Sequence, residues 1–422
     1  MQNPYTVLPT VRLLATGTAI SLLLGTAAFA ADANAVAERL KAVVARQGAS
    51  IEFTGVRADG MDIILEGTSY ALASEPDSKI SVGNITLQNV QDTPDGGYLV
   101  QHVTVPDFTI RTTTTISIAA DDADNDEEAS DQADKVVKED VTIRLSGMSL
   151  DNYRIPSEKP ANPVDKFIAA DRVHIDEINA SGTTGNVIAY KGLNLTVDSS
   201  NKPEKISYEW GIDSITVNVP KNGSAAFEPL GIDKFEASLN SKGSWSPMSG
   251  ELTVDQLELD ARKIGKLNLS LSMGGYDLAF IDAVEKTQKA IAETKEQDDS
   301  AAGLAFLSLI QQLSIKNMSI RFDNDDMVQK LLAYFAKQQG TDPAMLSNQI
   351  KAMAPMIAAQ LNDPELTQKL SNAVNKFMSD PKSFTISATP DNPVTFATIV
   401  ATASVDPTRI VQLLKVGVEA NN

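Results

Sequence analysis

Chemistry that depends on a thiol or an imidazole has little to draw on here: among 422 residues there are two histidines and no cysteine. Without cysteine there is no disulfide framework, thiol nucleophile, cysteine-ligated zinc, iron–sulfur cluster or lipid-modified N-terminal cysteine. His102 stands in Val100-x-His102-Val103-x-Val105 and His174 in Val173-His174-Ile175. Strand alternation turns His174 away from its apolar neighbours, toward solvent. His102 is ambiguous, because Val100 shares its face while Leu99, Val103 and Val105 take the other. No G-x-S-x-G turn supplies a nucleophile for either histidine. G-x-G-x-x-G, G-x-x-x-x-G-K-[ST] and H-E-x-x-H are absent, and carboxylates are too plentiful to single out a glycosidase pair. We therefore expect no enzyme and assign no catalytic, cofactor-binding, metal-ligating or ligand-contacting residue, and no cofactor.

The densest group of oxygen ligands is the run 121–134, where Asp122-x-Asp124-x-Asp126 imitates the start of a calcium-binding EF-hand loop. The imitation fails at position six, Glu127 in place of glycine, and at position twelve, Ala133 in place of glutamate. Asp121, Asp122, Asp124, Asp126, Glu127, Glu128, Asp131 and Asp134 repel one another with no apolar anchor among them, so the segment reads as a disordered, solvated loop. Over the whole chain 55 acidic residues face 36 basic ones, a net charge of −19. That balance argues against nucleic acid as a partner and against electrostatic docking on anionic lipid.

Elements able to position any site begin after an address. Arg12 precedes the apolar run Leu13 to Leu24, and Ala28–Ala30 supplies an A-x-A cleavage site, the three parts of a secretory signal over 1–30. The run is too short for a bilayer, which needs roughly 20 residues. We expect cleavage near Ala30, a mature chain in the periplasm or outside the cell, and no transmembrane span after signal removal. A helix is predicted over 32–47, where Val36, Leu40, Val43 and Val44 share a face and Gly48 follows as a stop; with its flanks it forms an N-terminal segment, 31–48. From Ile51 the apolar period becomes two, with turns such as Asp95-Gly96-Gly97, which predicts an antiparallel meander over 49–275. After Tyr276 the period becomes 3.6. Helices are predicted over 279–297, 300–312, 325–339, 343–361 and 364–379, with a short one near 407–414. Asp342-Pro343 and Asp363-Pro364 suit helix starts, and Pro355 should kink or split its helix. Strand-like runs return at Leu313 to Phe322, Phe384 to Ala388 and Val416 to Ala420. The expected class is α+β: a curved antiparallel sheet, then a helix-rich C-terminal region, 276–422, with a few strands.

One pattern recurs: two alternating apolar residues, two polar or small positions, then a second alternating pair. It occurs as Ile80-x-Val82-x-x-Ile85-x-Leu87, Val173-x-Ile175-x-x-Ile178-x-Ala180, Leu252-x-Val254-x-x-Leu257-x-Leu259 and Leu313-x-Ile315-x-x-Met318-x-Ile320. Partial copies are Leu145-x-x-Met148-x-Leu150 and Ile212-x-x-Ile215-x-Val217. A one-residue slip moves every side chain to the opposite face. Each copy must therefore carry a bulge that restores the face, or a bend that swaps sheets. Several such strands together form either the closed core of a sandwich or an open apolar groove.

An exported chain of such strands, above all Leu309-Ile310-x-x-Leu313-x-Ile315-x-Asn317-Met318-x-Ile320-Arg321-Phe322-Asp323, resembles the AsmA-like and YdgA-like groups of bacterial envelope proteins over roughly 50–330. The resemblance implies an envelope role connected with lipid. The cleavable N-terminus departs from AsmA-type proteins, which stay anchored, and this weakens any transfer of an envelope-bridging role.

In the helical part, Leu304, Phe306, Leu307, Leu309 and Ile310 with Met345, Ile350, Met353, Met356 and Ile357 form a methionine-bearing apolar surface. We expect most of it to pack on the sheet, with adaptable ligand binding as the alternative. An outer-membrane barrel fits poorly, because 5% aromatic residues leaves little for two interfacial girdles. The expected function is a non-catalytic exported envelope protein. It would bind or transfer lipid or another hydrophobic ligand, or support outer-membrane maintenance together with envelope proteins. The alternative is a structural or protein-interaction module with a closed core and no ligand.

Overall fold

The computed structural model describes residues 31–72, 75, 77–118, 135–158, 162–183, 187–218, 231–293, 305 and 307–422. The expected signal segment 1–30 and the acidic run 121–134 lie outside these residues. Helix α1 (Ala33–Arg46) starts on Asp32, whose carboxylate accepts from the backbone N–H groups of Asn34 and Ala35. It buries Val36, Leu40 and Val43 of the face foreseen from their spacing, together with Ala37, while Val44 of that face is half-buried.

The strands then run in chain order. They are β1 (Ala49–Glu52), β2 (Gly55–Asp59), β3 (Asp62–Leu72), β4 (Ile80–Asp92), β5 (Tyr98–Val105) and β6 (Phe108–Ile118). Next come β7 (Lys135–Ser146), β8 (Met148–Ile155), β9 (Arg172–Gly182), β10 (Val187–Asp198), β11 (Ile206–Asn218) and β12 (Lys234–Ser246). The series ends with β13 (Glu251–Ala261), β14 (Gly265–Gly274), β15 (Ser314–Asn324), β16 (Ser383–Ala388), β17 (Val394–Thr395) and β18 (Val416–Ala420). Every pairing among the described residues is antiparallel, and most join strands consecutive in sequence; the exceptions are β1–β3, β5–β8, β7–β9, β15–β17 and β16–β18. At the broken hairpin β5–β6/β7–β8, β5 pairs with β8 and β6 with β7, while β7 and β8 share β9. The sheet is not closed, since no pairing among the described residues joins β18 back to β1–β3.

The sheet does not stop near residue 275. β14 pairs with β15 from Gly265↔Asn324 to Gly274↔Ser314, and β16 and β18 extend the same sheet. Helices α2 (Leu278–Glu293), α3 (Met327–Gln338), α4 (Pro343–Ala359), α5 (Pro364–Ser379), α6 (Phe396–Val405) and α7 (Arg409–Leu413) are inserted between these last strands. Asp342 and Asp363 cap α4 and α5 through their carboxylates, with proline in the first turn. Of the kink or split expected at Pro355, the split does not occur: α4 runs through this residue, which is exposed. Helix α6 was not foreseen: Thr398, Ile399, Val400 and Thr402 are β-branched and favour strands, but Thr395 caps its first turn by accepting from Thr398 N–H.

The phase slips are bulges. Register shifts fall between Leu65 and Thr68, Ile212 and Ile215, Val254 and Leu257, and opposite the Ile315–Asn317 step of β15. The β3 shift contains Gly67 in the left-handed conformation, and single left-handed residues also occur at Asn89 in β4, Gly147 between β7 and β8, Asn152 in β8 and Gly192 in β10. Two neighbouring positions of opposite parity thus reach the same face. Leu87 and Val90 are both buried, as are Val100 and Val103.

Candidate functional site

The bulges align apolar residues into rows that run across the strands. One row follows Ile63, Leu87, Val103, Leu150, Val173, Leu195 and Trp210 from β3 to β11. It continues through Ser241, Leu257, Leu269, Ile320, Ile386 and Val418 to β18. A parallel row holds Ile175, Leu193, Ile212, Leu239, Leu259, Leu267, Phe322, Phe384 and Ala420. Together they make one apolar face.

Helices cover this face at its two ends. Helix α1 packs on Ile63, Leu65, Leu87, Val100 and Val103. At the far end α5 packs Leu366, Leu370, Ala373 and Phe377 on Phe384, Val416, Val418 and Ala420. Along one margin Val164, Ile168 and Leu278 cover Val197, Ile206 and Trp245, whose indole N–H donates to the Tyr276 carbonyl at 2.7 Å. Between the ends, Val173, Leu195, Trp210, Leu257, Leu269 and Ile320 are only half-buried. Leu267 is 42% exposed and Ile386 47% exposed.

The opposite face is polar. One cross-strand row reads His102, Asp151, Arg172, Thr196, Glu209, Lys242. The next reads Ser149, His174, Asn194, Gly211, Asn240, Glu258. Both histidines of the chain therefore occupy this face. His174 lies there as expected, and the seam at Asn89 and Asn152 settles His102 by sending Val100 and Val103 together to the apolar side. The Nδ1 of His102 is 2.6 Å from an Asp151 oxygen, and Arg172 approaches the other oxygen of that carboxylate at 4.0 Å. His174 lies 2.7 Å from Asn194 Oδ1 and 2.8 Å from Asp176 Oδ1. Those two hydrogen bonds, Asn194 first, raise the pKa of His174 above its ordinary value. A shallow cavity of about 540 Å³ opens over Arg172, His174, Glu209, Gly211, Asp213 and Asn240. Trp210 of the first apolar row also lines it, and among its polar side chains His174 is paired with Asn194 and Asp151 with His102.

The methionine-bearing surface divides. Leu309 and Leu346 are buried, whereas Met345, Met353, Met356 and Ile357 are 63%, 41%, 62% and 53% exposed. Leu307 is likewise 44% exposed, so packing on the sheet does not hold for these five. Apolar spacing marks which residues share a stripe, but not whether a neighbour covers it. Leu304 and Phe306 lie outside the described residues. No described helix is long and apolar enough to cross a membrane, and no cluster of three or more potential metal ligands occurs among the described residues. A protein-family model described as "Uncharacterized protein" matches residues 258–421, from the middle of β13 to β18, and no curated protein matches the chain.

Proposed function

We propose that this chain is a non-catalytic exported envelope protein that holds a lipid or another hydrophobic ligand on the apolar face of its sheet. The observation that carries this reading is the partial exposure of that face between its two helical ends, with Leu267 and Ile386 the most open residues. Soluble proteins rarely leave a contiguous apolar patch larger than a few hundred Å² without a use for it. From β9 to β15 there are six inter-strand steps of about 4.8 Å, or roughly 29 Å. That span is close to the ~30 Å hydrocarbon thickness of a bilayer, long enough for acyl chains laid across the strands. The bulge seam supports a curved sheet, because each bulge bends its strand and increases the local twist. Export rests on the signal-like segment 1–30, and a role in outer-membrane maintenance fits the same location.

Native mass spectrometry of the protein taken from its own host envelope tests the reading. Lipid is expected to accompany the wild type, and Leu267→Asp and Ile386→Asp should lose it while melting within a few degrees of wild type. A ligand-free wild type whose inner-face aspartates lower stability in step with burial would instead establish a closed interaction module.

A further inference from the structure

Two cavities meet on the polar face between β8 and β12. The first, of about 540 Å³, and a second, of about 840 Å³, share Asp151, Arg172 and Thr196. Both fall in the size range of small-molecule sites, roughly 300–1,000 Å³. Some of their polar side chains have no partner within the described protein. Glu209, Thr196 and Asn240 make no side-chain hydrogen bond or ion pair with a described residue. Among the described carboxylates the Arg172 guanidinium approaches only Asp151, at 4.0 Å, and Asp151 already holds His102. Gly211 lines the first cavity, between Asn194 and Asn240 in the same cross-strand row. It sits inside β11 without the left-handed backbone that accounts for Gly147 and Gly192. An interior glycine weakens a strand and often marks the close approach of a ligand. A Cβ here would meet Asn240 Oδ1 at 2.6 Å, so the missing side chain lets the Asn240 amide reach over the strand beside the cavity.

The lining selects a ligand class. The carboxylates of Glu209 and Asp213 accept, Arg172 only donates, and Asn240 and Thr196 do both. A polyanion would face the carboxylates of Asp151, Glu209 and Asp213, and a polycation would face Arg172. An apolar ligand would leave all of these groups unpaired. A molecule whose groups each donate and accept satisfies the set, and the hydroxyls of a saccharide do this. We propose that the polar face from β8 to β12 binds a saccharide, with Glu209 accepting from one ring hydroxyl and Arg172, Thr196 and Asn240 holding its neighbours. The site lies on the opposite side of the sheet from the proposed lipid face and does not depend on it.

The test is an array of neutral and N-acetylated oligosaccharides probed with the full mature chain, followed by NMR titration of a bound glycan against variants. At least one glycan should bind. Glu209→Gln and Asn240→Ala should each weaken it about tenfold, the loss of one such hydrogen bond, and Gly211→Val should abolish binding. Valine suits a strand, and unchanged thermal melts show that the variants fold. If Gly211→Val melts early, the other two carry the test. Leu267→Asp, on the opposite face, should leave glycan binding unchanged even where it removes co-purifying lipid, so either reading can fail alone. An array with no bound glycan overturns the proposal, as does a glycan whose affinity none of the folded variants changes. So does binding of spermidine, lost with Glu209→Gln, without any bound glycan, since the site would then be one for amines.

Discussion

The carboxylate of Asp176 on β9 occupies the space that a side chain at Gly147 would need, and Gly147 itself is left-handed at φ 64°. Asp213 stands in the same relation to Gly192, at φ 62°. The bulge seam is therefore specified by two strands at once: glycine supplies the backbone conformation, and an aspartate of the next strand fills the gap that its missing Cβ leaves.

Gly192→Ala should destabilise the protein by about 2–4 kcal/mol, of which roughly 1–2 kcal/mol is the left-handed conformation itself. Adding Asp213→Ala should recover the steric part and leave the conformational part, giving a coupling of about 1 kcal/mol or more in a double-mutant cycle. Urea midpoints at constant m-value measure this. A neutral Gly192→Ala would mean that the seam does not constrain the sheet.

Ile175→Asp, Val254→Asp and Ile315→Asp should be severely destabilising. Each places a charge on the apolar face, where an unpaired one costs several kcal/mol against a total of about 5–15 kcal/mol. Ile175, 9% exposed, should be the worst. Asp255→Ala, at an exposed bulge position, and Lys316→Ala, which breaks only a surface ion pair with Glu251 at 2.8 Å, should each change stability by less than about 1 kcal/mol. Soluble yield and melting temperature decide, and tolerance at all three inner positions would refute the common face.

Strands β6 and β7 pair as far as Ile118↔Lys135. Replacing residues 119–134 by Asn-Gly should therefore close a two-residue hairpin of the favoured type. The variant is expected to melt within a few degrees of wild type, because long surface loops add little closure entropy. Calcium should shift neither melting point, and a calcium-dependent rise in the wild type would assign the acidic run a binding role.

The raised pKa of His174 fixes a pH trend. Protonation is favoured in the folded state by the Asn194 and Asp176 hydrogen bonds. The stabilisation is therefore fully present below the unfolded histidine value near 6.5 and is lost as pH rises through the higher folded value. Histidine NMR titration should place His174 above 6.5, and Asn194→Ala should lower it. With only two histidines in the chain, His174→Gln assigns the resonances. A midpoint at or below 6.5 would contradict the hydrogen-bonded geometry.

The strands and their slips were readable because Val254-x-x-Leu257 and Ile315-x-x-Met318 state the phase change in the sequence itself. The pairing of Gly147 with Asp176 was not, since it depends on the lateral alignment of strands that lie 29 positions apart. Ser241 sits in the middle of an apolar row, where hydropathy would place a hydrophobe. It is small and buried between Trp210 and Leu257, and its hydroxyl hydrogen-bonds the Tyr208 side chain. The exposed face of α4 was hidden for a different reason. Met345 and Leu346 are both apolar in sequence, and only tertiary packing makes one an outside residue and the other an inside one.

Because each strand of the meander pairs mainly with the one made just before it, the sheet needs few contacts between distant parts of the chain. A chain synthesised from its N-terminus can add one strand at a time to a template that is already in register, which is the fast regime for β-structure. The same order carries a hazard. Until β15 has received β16, and β16 has received β18, the newest strand presents a full row of unpaired backbone groups to any other chain nearby. Interrupted synthesis would therefore yield well-registered partial sheets with adhesive edges rather than unfolded chains.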